Sequence, residues 1–423
     1  ANWRVEGIEN VPKHGPLLVV ANHVSYIDPG LLGSGVPLRM HFIAKSSLFQ
    51  WGLGFYLRKY GAFPADRNGL KFYSRTGEIT KTDEAAINAA LGRAAGTAES
   101  AMAQDKSAAA RFVERYIEAC GTSALKGRRI GLYAHSAVGR DDLAAILQGL
   151  GAEMVEYGRS DTFIPVDTEA VDPVTRAQIA AWVKADGLDA LVSTDGDSDR
   201  PLLADETGTI VPGDVMGQIT AEMLGAETVV TPISSNSGVQ KKGFGAVRLT
   251  RIGSPFVIAG MAEAGGKVVG YEANGGFLLG FEAQGPAGPL APLATRDCML
   301  PLIMTLIAAG GGTLSERVAQ EPPVVTMADR LQEVPQERSQ PFVARLADSA
   351  EARASFLAEL GGAEAGTDLT DGVRMTLTDG RIVHVRPSGN APELRLYVEA
   401  SDKAGAEALM DVGLAALHRA VLG

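Results

Sequence analysis

Three aspartates at alternate positions, Asp195, Asp197 and Asp199, stand in the run DGDSDR directly after the apolar segment LDALVST. Carboxylates this close repel one another unless a cation lies among them, and a hard divalent ion such as Mg²⁺ takes clustered carboxylate oxygens. A strand leading into the acidic turn would put it at a strand's carboxyl end, where open α/β sheets bind ligands. Two other readings stand beside this one. Glu206 is twelfth from Asp195, as in an EF-hand, but Arg200 occupies the position that motif keeps for glycine, and an apolar strand replaces its entering helix. A solvated acidic turn needs no ion at all.

Two more loops carry polar groups. GYEANGGF, residues 270–277, offers Glu272 and Asn274 among glycines that permit close backbone approach, a carboxylate and an amide suited to paired sugar hydroxyls. An ordinary glycine-rich turn has the same composition. RPSGNAPELR, residues 386–395, gathers Arg386, Ser388, Gly389, Asn390 and Arg395. Successive backbone N–H groups, a hydroxyl and guanidinium forks are what a phosphate dianion takes, and the plainer alternative is a surface hairpin with a stray arginine pair.

The elements that must hold these loops alternate in type. RIGLYAH reads as a strand, and a helix follows Asp141 with Leu143, Ile146, Leu147 and Leu150 on one face, closed by Gly151. Asp172 and Pro173 read as the cap and first residue of a helix that buries Ile179, Trp182 and Val183 and stops at Gly187. The alternation repeats through ETVVTPI, AVRLTRI, a helix from Pro255 to Ala264, and KVVGYEA, which gives two α/β units in series. After a polar passage from Gln320 to Gln340 the pattern changes to a hairpin, MTLTDGRIVHV, turned on Asp379-Gly380. A strand LRLYVEA and a closing helix then complete an α+β unit.

Composition bounds the rest. At 423 residues and about 150 per domain, the chain holds roughly three compact units. Its formal net charge of −11 repels phosphate backbones, so a nucleic-acid binder is not expected. Glycine, 50 of 423 residues against a usual ~7%, implies many tight loops rather than a helical bundle. Cys120 and Cys298 are far apart in sequence and form neither a metal motif nor a disulfide framework, which reads as a reducing, cytosolic compartment. The longest apolar stretch, Met299 to Ala309, is well short of the ~20 residues that span a bilayer and reads as a buried helix rather than a transmembrane segment. The chain begins with Ala1 rather than Met and lacks a signal-peptide layout, which reads as a start partway into a protein. Oligomeric state is not legible.

Together the three loops resemble, in order and separation, those of the α-D-phosphohexomutase family, the phosphomannomutases and phosphoglucomutases, over roughly residues 65–423. The resemblance implies serial α/β mutase domains with mixed sheets plus a C-terminal α+β domain. It also implies a phosphoserine that exchanges phosphoryl groups with a hexose phosphate through a bisphosphate. By the same resemblance Asp195, Asp197 and Asp199 would hold Mg²⁺, Glu272 and Asn274 the sugar, and Arg386, Ser388, Gly389, Asn390 and Arg395 the far phosphate. Arg200 would neutralise the phosphoryl group in transit, and Lys71 matches the family's active-site lysine.

The resemblance breaks at the nucleophile. PADRNGLKFYSRTGEITKTDEAA, residues 64–86, is similar to the stretch just after the catalytic serine in a bacterial subgroup, where the preceding phrase has the form Gly-Ser-His-Ile-Pro-Ala-Asp-Arg. The residues before Pro64 are Tyr60, Gly61, Ala62 and Phe63, so Gly61 stands at the serine position and offers no hydroxyl. Upstream, ANHVSYIDPGLL resembles the glycerolipid acyltransferase motif. There a histidine oriented by a carboxylate deprotonates an acceptor hydroxyl, which assigns that role to His23 and Asp28. AKSSLFQWGLGFYLRKYGAFPADR resembles that family's second block, with Arg67 at its phosphate-contacting position.

The chain therefore reads as a chimera joined at a shared phrase. An acyltransferase-like fragment occupies 1–64, the remnant of mutase domain one 65–108, domain two 109–225, domain three 226–325 and domain four 335–423. Three functions are open to it: a phosphohexomutase-family isomerase with its phosphoserine position lost, a non-catalytic sugar-phosphate binding protein, or a glycerolipid acyltransferase.

Overall fold

The computed structural model describes residues 107–388 and 392–423, together with the strands Phe42–Lys45, Ala62–Ala65, Tyr73–Ser74 and Gly77–Glu78, residues 79–80 and the helix Lys81–Ala90. His23, Asp28, Gly61, Arg67, Lys71, Gly389 and Asn390 lie outside the described residues. The chain divides into two units, Ala1–Ser74 with Lys81–Asp105, and Arg75–Thr80 with Lys106–Gly423. In the first, Phe42–Lys45 and Ala62–Ala65 pair in parallel.

The second unit repeats one plan twice. Its first sheet runs in the order Glu153–Tyr157, Arg129–Tyr133, Ala190–Thr194, Pro201–Asp205, Ile210–Val211, the first three parallel and the last two each paired antiparallel with the strand before. The second runs Ala246–Thr250, Thr228–Pro232, Val268–Tyr271, Phe277–Leu279, Leu293–Asp297, again three parallel strands followed by two that each pair antiparallel with the strand before. These are the two α/β units in series that the alternation implies, with the mixed sheets that the family resemblance implies.

Local chemistry sets the boundaries. In the helix Arg140–Gly149, Leu143, Ile146 and Leu147 are buried, and Gly151 turns the chain out at φ 88. Asp172 Oδ1 accepts from Val174 N–H and Thr175 N–H at 3.0 Å each to start Pro173–Asp186, and Gly187 ends it in the left-handed region. Trp182 is only half-buried, stacked on Tyr157 with ring centroids 5.0 Å apart. The apolar stretch forms the helix Met299–Ala308, buried from Met299 through Leu306 against the equally buried helix Gly213–Met223. No helix among the described residues is long and apolar enough to cross a membrane.

The C-terminal sheet is wholly antiparallel, in the order Val325–Leu331, Leu394–Ala400, Ile382–Pro387, Val373–Leu377, Glu364–Asp368. Its first strand falls inside the polar passage, so this unit begins at Val325 rather than at 335. Residues 328–330 on that edge are exposed, and an edge strand with a wet face carries no apolar run to announce it. The helices Gln336–Asp348 and Ala350–Glu359, also absent from the sequence reading, cover the sheet with Phe342, Val343, Leu346, Phe356 and Leu357.

One buried polar contact pins the end of the second sheet. Tyr116 Oη donates to Asp297 Oδ2 at 2.7 Å, and Asp297 Oδ1 accepts from Met299 N–H and Leu300 N–H at 2.9 and 3.0 Å. Both side chains are buried, so Tyr116→Phe leaves a buried carboxylate oxygen unsatisfied. It should cost about 1–3 kcal/mol, read as a lower urea midpoint with unchanged m-value; an unchanged midpoint contradicts this.

Candidate functional site

The acidic loop caps the strand Ala190–Thr194. It closes through Asp195 N–H to Arg200 O at 3.1 Å and Ser198 N–H to Asp195 O at 3.2 Å, with Ser198 in the left-handed region at φ 57. Neighbouring elements hold that strained serine: its Oγ accepts from Gly139 N–H at 2.9 Å, and its carbonyl accepts from Cys298 Sγ at 3.0 Å. The ligand oxygens of Asp195, Asp197 and Asp199 all lie within 4.8 Å of one another. Asp195 is 3% exposed, and burial, reinforced by Asp197 and Asp199, pushes its carboxyl up to about 7. An all-oxygen set whose own repulsion raises a buried carboxyl fits a hard divalent cation. Glu206 is carried off by the strand Pro201–Asp205 to accept from Ser315 N–H at 3.2 Å, which removes the EF-hand reading.

The sugar-type loop follows Val268–Tyr271. Gly275 has φ 87, and a Cβ there would lie 2.6 Å from Pro201 Cγ, so the loop packs directly beside the residue following Arg200. Asn274 Oδ1 accepts from Gly276 N–H at 3.0 Å. Glu272 is buried, which raises its carboxyl, while Arg296 and Arg200 pull it back down.

Arg296, which the sequence reading passed over, joins the two loops. Its Nη2 lies 2.8 Å from Asp199 Oδ2, its Nη1 3.8 Å from Glu272 Oε2 and its Nε 3.5 Å from Glu78 Oε1. Arg200 stands further off, with Nε 3.9 Å from Asp195 Oδ2 and 3.7 Å from Asp199 Oδ1. The one signal in the sequence was an arginine beside an aspartate, Arg296-Asp297, at the start of the most apolar helix.

In the phosphate-type loop Ser388 is 5% exposed, its N–H donating to Glu393 O at 2.9 Å. Arg386 Nε donates to Asp371 Oδ1 at 3.2 Å. Arg386 and Arg395 are register partners, and Arg330 pairs opposite Arg395 on the other side, so three arginines stand in one row across adjacent strands. Glu393 lies 3.3 Å from Arg330 Nε and 3.4 Å from Arg395 Nη2. Arg330 escaped notice because its strand reads as linker.

Two mixed α/β units and an antiparallel C-terminal unit, with one polar loop on each, define the architecture of the chain. Family models match in the same order: phosphoglucomutase/phosphomannomutase alpha/beta/alpha domain II at residues 110–208, domain III at 205–325 and the C-terminal domain at 331–412. The chain belongs to the phosphohexomutase family. It is 46% identical over 392 residues to a phosphomannomutase of Sinorhizobium fredii, covering 88% of this chain and 82% of that one. It is 41% identical over 351 residues to a phosphomannomutase of Salmonella muenchen, covering 80% and 72%; these relatives are intramolecular phosphotransferases.

Among solved structures, a putative phosphomannomutase from Thermus thermophilus matches with TM-score 0.59 at 18% identity, covering 81% of this chain and 73% of that one. A phosphoglucomutase/phosphomannomutase family protein from Burkholderia thailandensis matches with TM-score 0.57 at 20% identity, covering 74% and 64%. Both show the fold. An acyltransferase family model matches residues 2–115, past residue 64 where the sequence reading places the join.

Next to the phosphate loop, His384 is buried, with Nε2 2.5 Å from Asp371 O and its ring stacked on Tyr397. Burial drives its pKa down to about 4 from 6.5. Because the folded state holds the neutral ring, this contribution to stability is complete above pH 6.5 and is lost as pH falls towards 4, where the unfolded chain binds the proton first. The loss in melting temperature between pH 7 and pH 4.5 should therefore be smaller in His384→Asn than in the parent chain; equal losses contradict the assignment.

Proposed function

We propose that this chain binds hexose phosphates together with Mg²⁺ in the phosphohexomutase cleft, and that it forms no phosphoserine at the family's nucleophile position, where Gly61 stands. The observation that carries the reading is the meeting of acidic and sugar-type loops on Arg296, which brings cation ligands and a buried hydroxyl acceptor within one side chain's reach. Asp195, Asp197 and Asp199 would hold the ion, whose chemistry when bound is to offset charge on a phosphoryl group. Glu272 would accept from sugar hydroxyls. Asn274 Oδ1 is engaged by Gly276 N–H, which leaves its Nδ2 hydrogens as donors for them.

Arg386, Ser388, Gly389, Asn390 and Arg395 would dock the phosphate. Arg200 lies where a phosphoryl group beside the aspartates meets a positive charge, and Lys71 is assigned to the site by its match to the family. Cys120 and Cys298 are free and buried, in keeping with the cytosolic setting we assign. A second reading rests on the acyltransferase match at residues 2–115: His23, oriented by Asp28, would take the proton of an acceptor hydroxyl, with Arg67 on its phosphate.

Calorimetric titration with mannose 1-phosphate in Mg²⁺ should show binding, weakened about tenfold or more by Arg386→Gln through loss of a charge-assisted contact. Absence of binding overturns the reading. Acyl transfer from acyl-CoA to lysophosphatidate that His23→Ala abolishes would favour the second one.

A further inference from the structure

We propose that Arg296 is a positioning residue that presents Asp199 to the divalent cation and Glu272 to the sugar, so that one guanidinium sets the affinity for both ligands while touching neither. This rests on the reading of the cleft as a cation and hexose-phosphate site.

The geometry supports a fixed rather than a wandering arginine. Its backbone belongs to the strand Leu293–Asp297, paired antiparallel with Phe277–Leu279, the strand that leaves the sugar-type loop. The next residue, Asp297, is pinned by Tyr116 and by two helix N–H groups. On the other side the stem fills the space above Gly276, where an added Cβ would lie 2.9 Å from Arg296 Cδ. The side chain is 11% exposed.

At its far end, the guanidinium takes Asp199 Oδ2 at 2.8 Å and lies 3.8 Å from Glu272 Oε2. Its third side faces Glu78. That carboxylate is itself held by Ser254 Oγ at 2.9 Å, Thr295 Oγ1 at 3.3 Å and the backbone N–H of Arg296 at 3.4 Å. A fork engaged on one oxygen of Asp199 fixes the plane of that carboxylate and directs its other oxygen, as hydrogen-bond partners behind metal ligands do.

Two effects of removing the arginine oppose each other, and their signs separate the roles. As a bare positive charge beside three aspartates, Arg296 weakens cation binding, and its loss would tighten it. As a positioning group it holds Asp199 in a binding orientation and keeps Glu272 ionised beside it, and its loss would loosen both ligands. The short bond to Asp199 and the rigid stem make positioning the larger effect.

The experiment titrates the full chain with Mn²⁺ by electron paramagnetic resonance, and with mannose 1-phosphate by calorimetry, for the parent chain, Arg296→Gln and Arg296→Lys. We expect Arg296→Gln to weaken Mn²⁺ by about tenfold or more and mannose 1-phosphate in parallel, with Arg296→Lys between it and the parent. Should Arg296→Gln fail to fold, Arg296→Lys carries the test by the same sign. Mn²⁺ binding that is unchanged or tighter in the variants overturns the inference alone, including when their melting temperature falls, since a merely structural arginine affects stability without affecting affinity. A parent chain that binds no Mn²⁺ overturns the metal reading and the inference with it.

Discussion

A buried arginine among carboxylates from three separate segments is the interaction on which the meeting of the acidic and sugar-type loops depends. Glu78, Asp199 and Glu272 could not approach one another in a site this closed to water without the Arg296 guanidinium, because an uncompensated buried carboxylate either protonates or forces the structure apart. The arrangement explains why residues next to Arg296 are so tightly fixed: Asp297 is bonded on both oxygens, and glycine at 276 leaves room for the stem. The compensation is incomplete. Glu272 and Glu78 sit 3.8 and 3.5 Å from the guanidinium, and Asp195 is held high by burial, with Asp197 and Asp199 adding to it.

Much of the frame was legible because each element announced itself locally. Strands such as Ala190–Thr194, buried along their whole length, read as short β-rich runs without a charged residue, and Asp172, Pro173 and Gly187 marked a helix at both ends. The aspartates were visible because their spacing is chemically awkward without an ion. Arg296 was not, since its partners lie far away in sequence and the chain before it passes through two-residue strands at Ala283–Gln284 and Pro289–Leu290 that set up no period. Arg330 and the helices between 336 and 359 were hidden for a related reason: a half-exposed edge strand and surface helices have a composition close to that of a linker. The glycine excess has two causes. Gly151 and Gly187 turn the chain with positive φ, but Gly213 is needed for close approach, a Cβ there lying 2.3 Å from Gly275 N.

Each of the three polar loops is fixed by its own sheet. The acidic, sugar-type and phosphate-type loops all belong to the second unit, whereas Gly61, which on the proposed reading stands at the serine position, falls in a stretch where an acyltransferase model matches and the mutase models do not. Glycine supplies neither a nucleophile nor an acceptor. Affinity for a phosphorylated sugar and transfer of its phosphoryl group therefore need not survive together.

The most direct measurement is the intact mass of the full chain after incubation with glucose 1,6-bisphosphate and Mg²⁺, combined with peptide mapping. The account predicts an unchanged mass under conditions where the bisphosphate binds. Gain of one phosphoryl group that maps to a single residue would contradict it.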